Sequence, residues 1–203
     1  MIINHKKKWI YIGPPKTGST AISYILTDGK YDNNGVKKLL DYNFGGKEIN
    51  GQHTPWPPNK LESKYDDYYV FISVRNPFSR IVSLYNHWKY GKSYNNQVDV
   101  ENKTLKDFIT LILEKKFLEN SFFCTTMSAW VSRYNCFIKQ EMLENDLKNL
   151  KFHSKDFFVP IINDQNKLMN NWKKQHTKKT IAMTIEWAKE DFYNFNYSSN
   201  IND

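Results

Sequence analysis

Residues 9–20 have the sequence Trp9-Ile10-Tyr11-Ile12-Gly13-Pro14-Pro15-Lys16-Thr17-Gly18-Ser19-Thr20, and this stretch decides the fold. Its first four residues form a short aromatic and β-branched run, which is typical of a buried strand. Two prolines and two glycines then interrupt the pattern, and a helix can begin directly after the second glycine. The stretch therefore predicts a strand, a tight loop and a helix over residues 19–26.

The loop between this strand and this helix is a candidate anion site. The first N–H groups of a helix have no partner within it, and the helix dipole adds partial positive charge there. An ATPase loop, G-x-x-x-x-G-K-S/T, places its lysine directly after the second glycine. Here Ser19 and Thr20 follow that glycine, and the only lysine, Lys16, lies inside the loop. Taken alone, the loop is compatible either with an unusual phosphate site or with a capped turn that binds no ligand.

A second strand is predicted over residues 68–74, and it ends at Arg75-Asn76-Pro77. Asn76 is a favourable helix cap and Pro77 a favourable first helical residue, so a helix is predicted over residues 77–90. Ligands of open α/β sheets bind beyond the carboxyl ends of the strands, where Arg75 is expected. A metal-dependent NTPase has an acidic residue there. The arginine instead predicts a second anion that is gripped directly, with the hydroxyl of Ser83 as a further donor.

These two segments closely resemble the two cofactor motifs of sulfotransferases, which use 3′-phosphoadenosine 5′-phosphosulfate (PAPS). The amino-acid sequences of the two motifs are most similar to those of the carbohydrate-type branch, whose members are often Golgi enzymes. The resemblance extends over about residues 9–197. It implies a P-loop NTPase-like sulfotransferase fold of class α/β, with three α/β/α layers and a central, mostly parallel sheet. It places the 5′-phosphosulfate on Lys16, Thr17, Gly18, Ser19 and Thr20, and the 3′-phosphate on Arg75 and Ser83.

The implied reaction transfers a sulfuryl group from PAPS to a hydroxyl or amine, with a carbohydrate as the favoured acceptor and 3′-phosphoadenosine 5′-phosphate (PAP) as the product. Lys16 is expected to stabilise the leaving phosphate, so that no metal is required. His53 is the candidate base, because its G-x-H-x-P loop resembles the segment that carries the catalytic histidine in this family. Glu48 is the alternative base. The sequence has no histidine, cysteine or carboxylate spacing that predicts a metal site.

The length and composition favour one catalytic domain. A chain of 203 residues that is 40% hydrophobic can bury one substantial α/β core, so a single domain over residues 1–203 is predicted. The net charge of +8 is scattered along the chain, so a small-molecule or glycan acceptor is expected rather than nucleic acid. Two alternatives stay open: a P-loop nucleotide kinase or NTPase, and a non-catalytic module that binds nucleotide or nucleic acid.

The remaining segments give expectations about location, thiols and secondary structure. Gly13 and two prolines interrupt the first apolar run, so neither a signal peptide nor a membrane anchor is predicted. A soluble, cytoplasmic protein of prokaryotic or viral origin is expected, with Cys124 and Cys136 as reduced thiols. The glycine-rich residues 29–51 are expected to form a loop. Further helices are predicted over residues 105–119, 125–134, 143–150 and 181–193, the first of them with a Thr104-x-x-Asp107 capping pattern.

Overall fold

The structure is a computed structural model that describes residues 1–27, 47–49, 65–90, 100–114, 122–150, 169 and 171–203, with the backbone alone for 47–49. The chain divides into two compact units. The first unit comprises residues 1–75 and 129–163, and the second comprises residues 76–128 and 164–203. The single domain expected from the sequence stays a prediction.

The first unit contains a five-stranded sheet. Its strands are β1 (Ile2–Asn4), β2 (Trp9–Ile12), β3 (Lys47–Ile49), β4 (Tyr69–Val74) and β5 (Cys136–Lys139). They are arranged in the order β3-β1-β2-β4-β5. Strand β4 is parallel to both β2 and β5, whereas β1 is antiparallel to both β2 and β3. The α/β class and the parallel part of the sheet are confirmed. Strand β3 corrects the expectation of an unbroken loop over residues 29–51.

Six α-helices lie in the described residues. They are α1 (Ser19–Leu26), α2 (Pro77–Tyr90), α3 (Leu105–Leu113), α4 (Leu143–Lys148), α5 (Lys178–Trp187) and α6 (Lys189–Asn194). Helices α1 and α4 belong to the first unit and the other four to the second. None of the helices in the described ranges is long and apolar enough to cross a membrane. The expected cellular location stays a prediction.

The core of the first unit lies between one sheet face and the helices α1 and α4. Alternate residues of a strand point to the same face, so Trp9 and Tyr11 of β2 share a face. They pack with Phe71 of β4 and Ile138 of β5. The helices contribute apolar residues to this cluster: Ile22, Ile25 and Leu26 from α1, and Leu147 from α4. This packing fixes the start of α1 beside the ends of β2 and β4.

The second unit begins at the cap of α2. The side-chain oxygen of Asn76 accepts hydrogen bonds from the backbone N–H groups of Phe78 and Ser79, at 3.0 and 3.3 Å. The predicted cap and the predicted bounds of this helix are therefore confirmed. Its apolar residues, among them Ile81 and Leu84, pack with Phe108 and Ile109 of α3. Helix α3 starts at the predicted capping box of Thr104 and Asp107.

Three predicted helices differ from the structure. The helix expected over residues 125–134 is wrong, since these residues contain only the short 3-10 turn Ser128–Trp130. The helix expected over residues 181–193 begins earlier, at a capping box of Thr177 and Thr180, and divides at Ala188 into α5 and α6. Helix α3 ends at Leu113, before the predicted end at 119, and residues 115–121 lie outside the described part. Cys124 and Cys136 are not joined by a disulfide, and their reduced state stays a prediction.

Candidate active site

The candidate site is the loop that joins β2 to α1 in the first unit. Two of its residues have positive backbone φ angles, 66° at Lys16 and 76° at Gly18. Glycine adopts this left-handed conformation readily, whereas a lysine is strained by about 1–2 kcal/mol. Strain of this kind persists only where surrounding contacts enforce it, and it is concentrated at functional sites. Lys16 is thus the unusual residue of the loop.

Gly18 begins α1 without a side-chain cap. The first turn of α1 contains no acidic residue, so the partial positive charge of the helix start is not countered locally. A Cβ atom at position 18 would lie 3.2 Å from Cγ of Gln140. Gly18 therefore provides both the left-handed conformation and the close approach of the loop to the turn that follows β5.

A chain of buried hydroxyl groups lies beneath the loop. The Thr17 hydroxyl donates to the carbonyl oxygen of Pro14 at 2.7 Å, and it also lies 2.7 Å from the Ser73 hydroxyl. The Ser73 hydroxyl lies 2.9 Å from the phenol oxygen of Tyr11. Thr17 and Ser73 are 0% exposed and Tyr11 is 1% exposed. The Thr17 hydroxyl supports the loop, so the predicted role of Thr17 in anion binding rests on its backbone N–H group.

Lys16 lies in an environment that disfavours its positive charge. Burial lowers the pKa of Lys16 to about 8, and the positive charge of Arg75 contributes to the same shift. Both effects disfavour the charged ammonium, because water is removed and a like charge is near. An anion that enters the loop would reverse this balance. Lysines with such lowered pKa values are typical of functional sites.

Arg75 lies at the end of β4, as predicted. Because β2 and β4 are parallel neighbours, their carboxyl ends meet at the same edge of the sheet. Nη1 of Arg75 donates a hydrogen bond to the backbone carbonyl oxygen of Lys16 at 3.3 Å. The guanidinium is therefore tied to the loop that carries the lysine. The sequence did not predict this contact.

The remaining predicted residues are placed as follows. Ser19 is buried and Thr20 partly exposed at the start of α1. Ser83 lies on α2 in the second unit and is 2% exposed. His53 lies outside the described residues. Glu48 lies on β3, where its backbone pairs with Ile3 of β1.

Tyr11, Ser73 and Gln140 contact the loop or its supports but were not singled out from the sequence. For Ser73 a signal was present, because a serine interrupts the otherwise apolar strand β4. Such a residue in a buried strand needs a hydrogen-bond partner, and here the partner is Thr17. The contact of Gln140 with Gly18 depends on the tertiary fold and has no local signal.

Comparison with known proteins identifies the family. A family model described as the sulfotransferase family matches residues 1–198, which is nearly the whole chain. No curated protein and no solved structure matches the chain closely enough for comparison. The family's members are transferases that use PAPS as the sulfuryl donor. Since the match covers the strand-loop-helix unit of Lys16 and the β4–α2 segment of Arg75 and Ser83, the chain belongs to the sulfotransferase family.

Proposed function

We propose that this protein transfers a sulfuryl group from PAPS to a hydroxyl group of a carbohydrate acceptor. The position of Lys16 carries this proposal: a half-buried cation in a strained loop, between a parallel strand and a helix start. Membership of the family supports sulfuryl transfer in general. The assignment of a carbohydrate acceptor rests on the amino-acid sequences of the two motifs, which resemble those of the carbohydrate-type branch.

The donor loop, defined as residues 13–20, has the features that an anionic donor requires. Two cations, Lys16 and Arg75, lie at the loop, and the first turn of α1 contains no acidic residue. We assign the 5′-phosphosulfate to Lys16, Thr17, Gly18, Ser19 and Thr20. Arg75 and Ser83 are assigned to the 3′-phosphate on the resemblance of their segment to the second sulfotransferase motif, and a guanidinium fork matches phosphate oxygens.

The proposed chemistry divides between a cation and a base. PAPS supplies a sulfuryl group whose bond to the bridging phosphate oxygen breaks as the acceptor oxygen bonds to sulfur. Lys16 stabilises the negative charge that develops on that bridging oxygen, a role that a fixed cation performs without reorganisation. His53 removes the proton from the acceptor hydroxyl, with Glu48 as the alternative base. The residues of the chain provide both functions without a metal in this scheme.

Titration calorimetry tests the choice of nucleotide. We expect the protein to bind PAP and to bind ATP with Mg²⁺ much more weakly. A preference for ATP with Mg²⁺ would favour a kinase or NTPase. Binding of neither nucleotide would favour a module without this chemistry, and either result would overturn the proposal.

Single substitutions test the assigned roles. Lys16→Ala should lower kcat by about 10²–10³-fold, the usual effect of removing one group that stabilises developing charge. His53→Ala should lower kcat by about 10²–10⁴-fold, whereas Glu48→Gln should have little effect. Full activity of His53→Ala with a loss in Glu48→Gln would transfer the role of the base to Glu48.

An acceptor screen with PAPS labelled in the sulfuryl group tests the acceptor class. Glycans should take up the label, whereas phenols and peptides should not. Labelling of phenols or peptides alone would overturn the carbohydrate assignment and leave the donor assignment intact.

A further inference from the structure

We propose that Tyr11 and Ser73 are positioning residues of the reaction, which hold Lys16 through a directional chain of hydrogen bonds. The inference rests on the proposed role of Lys16 in sulfuryl transfer. Neither residue is expected to touch the donor or the acceptor. They act from the sheet, through Thr17, which immediately follows Lys16.

The direction of the chain follows from the number of protons. The carbonyl oxygen of Pro14 can only accept, so the single hydroxyl proton of Thr17 is used in that bond. The Thr17 oxygen must therefore accept from the Ser73 hydroxyl. The Ser73 oxygen must then accept from the phenol of Tyr11. Each hydroxyl group has one arrangement only, and the chain ends on the loop's own backbone.

The sheet places the three hydroxyl groups in line. Tyr11 pairs with Phe71 across the parallel strands, and Ser73 lies two residues further along β4 on the same face. The Tyr11 side chain extends along the strand direction to reach it. A Cβ atom at Gly13 would lie 3.0 Å from the phenol oxygen and 2.9 Å from Cβ of Ser19. The absence of a side chain at Gly13 thus leaves room for the phenol beneath the loop.

The chain anchors the loop where its backbone is least favourable. Thr17 lies between the two residues with positive φ, Lys16 and Gly18. Its hydroxyl closes the turn onto Pro14, and the bond from Ser73 ties that closed turn to β4. Because all three hydroxyl groups are buried, no bulk water can replace a lost partner. Loss of the Ser73 link should let the loop shift and move the Lys16 ammonium away from its working position.

A mutant cycle with Tyr11→Phe and Ser73→Ala tests the proposal. A misplaced catalytic group costs up to about 10²-fold in rate, so Ser73→Ala should lower kcat by about 10-fold or more. Tyr11→Phe should lower kcat about 3-fold, on the order of one weakened hydrogen bond, because the Ser73–Thr17–Pro14 part remains. The affinity for PAP should fall by less than kcat, since the ion pair of Lys16 with a bound phosphate tolerates a small displacement better than the charge that develops in the transition state does.

The cycle separates a positioning role from loss of stability. If Tyr11 acts through Ser73, the double variant should have the kcat of Ser73→Ala alone, because residues in one network are not additive. The control is Thr27→Val in the same unit, since the buried Thr27 hydroxyl also donates to a backbone carbonyl, that of Ser23 at 2.7 Å. It should lower the melting temperature and leave kcat and PAP affinity unchanged.

Two results would overturn the inference. The first is an unchanged kcat in folded Ser73→Ala. The second is a kcat of the double variant that reflects the sum of the two single effects, together with a similar loss of kcat in Thr27→Val. If Ser73→Ala does not fold, Tyr11→Phe, which keeps the aromatic ring, must still show the loss in kcat. Failure of the wild-type protein to bind PAP is a separate outcome, and it contradicts the proposed function itself.

Discussion

Lys16 is held in a left-handed conformation, is partly removed from water and lies near a second cation. Burial and the nearby charge of Arg75 disfavour the charged ammonium of Lys16 in the free protein, whereas the left-handed conformation strains its backbone. A nucleotide with one anionic group at the loop and a second at Arg75 would reverse the electrostatic part of this effect, because its charges offset those of Lys16 and Arg75. Binding of an anion therefore stabilises the charged form of Lys16. The affinity of the loop for the anion should depend on the protonation of Lys16.

The first prediction concerns the pH dependence of that affinity. The pKa of Lys16 in the free protein is about 8, and bound PAP should raise it. Binding should therefore take up a proton above about pH 8, and the Kd for PAP should increase there by up to about tenfold per pH unit. Below that pH the Kd should be nearly constant down to about pH 7, where the phosphates remain largely ionised. Calorimetry in buffers of different ionisation enthalpy measures both the Kd and the proton uptake.

Lys16→Arg is the control for this pH dependence, because a guanidinium stays charged throughout the range. Its Kd for PAP should be nearly independent of pH up to pH 10. A wild-type Kd that does not change between pH 7 and pH 10 would contradict the role of Lys16 as the titrating cation.

The second prediction concerns Arg75. Arg75→Ala should weaken PAP binding by about 10–100-fold, the effect of removing a charge-assisted hydrogen bond. The same substitution removes the positive charge that lowers the pKa of Lys16. The pH at which PAP affinity starts to fall should therefore move upward in Arg75→Ala. A weaker affinity with an unchanged pH profile would show that the two cations are not coupled.

At the scale of elements, the N-cap residue of α1, Gly18, has no side chain. An alanine at position 18 would have a strained backbone at φ 76°, and its Cβ atom would lie 3.2 Å from Cγ of Gln140. Gly18→Ala should therefore destabilise the protein by about 1–2 kcal/mol and weaken PAP binding. Denaturant unfolding measures the first effect and calorimetry the second.

Gly18→Ala combined with Gln140→Ala separates the two causes. The second substitution removes the crowding, so any loss that remains beyond that of Gln140→Ala alone is due to the backbone. Recovery of full stability in the double variant would contradict the conformational part of the argument.

The sequence predicted those elements whose signals are local. Residues 9–26 and 69–90 follow the expected strand-loop-helix pattern because glycine, proline and Asn76 mark each boundary within a few residues. The helix expected over residues 125–134 failed for a tertiary reason. The backbone N–H groups of Met127 and Ser128 donate to the carboxylate of Asp191, more than 60 residues away. A contact at that separation leaves no mark in the local pattern.

The same limit applies to the candidate site. Lys16 and Arg75 were predicted because both follow buried strands, and parallel strands bring their ends to one edge. The hydroxyl chain was not predicted, because it needs the register of β2 against β4. Local sequence identifies residues that occupy special backbone positions, whereas the residues that support them depend on strand pairing.

At the scale of the whole molecule, each unit is assembled from two separate stretches of chain. The chain passes between the units after residues 75, 128 and 163. Neither unit is continuous in sequence, so neither can complete its fold until both of its stretches of chain are available. This arrangement favours a single cooperative domain, as the length of the chain also predicts.

Asp191 provides a way to perturb the second unit alone. Its carboxylate is 0% exposed and accepts from the N–H groups of Met127 and Ser128 and from the Ser128 hydroxyl. Burial raises the pKa of this carboxyl, while the charge of Arg80 and these donors act in the opposite direction. An asparagine at this position would place an N–H₂ group, which cannot accept a hydrogen bond, against donors of Met127 or Ser128. Asp191→Asn should therefore destabilise the protein by about 3 kcal/mol, and the exposed Glu190→Gln should change its stability by less than about 0.5 kcal/mol.

The last prediction tests the single domain with this variant. If the two units unfold together, calorimetry should show one transition for the wild type and for Asp191→Asn, with the variant at a lower temperature. Hydrogen exchange should then increase equally in β4 of the first unit and in α2 of the second, because both open through the same global event. Faster exchange confined to α2, with β4 unchanged, would show two independent domains. In one cooperative domain, bound PAP should also raise the temperature of the single transition, because the ligand stabilises the whole fold by mass action.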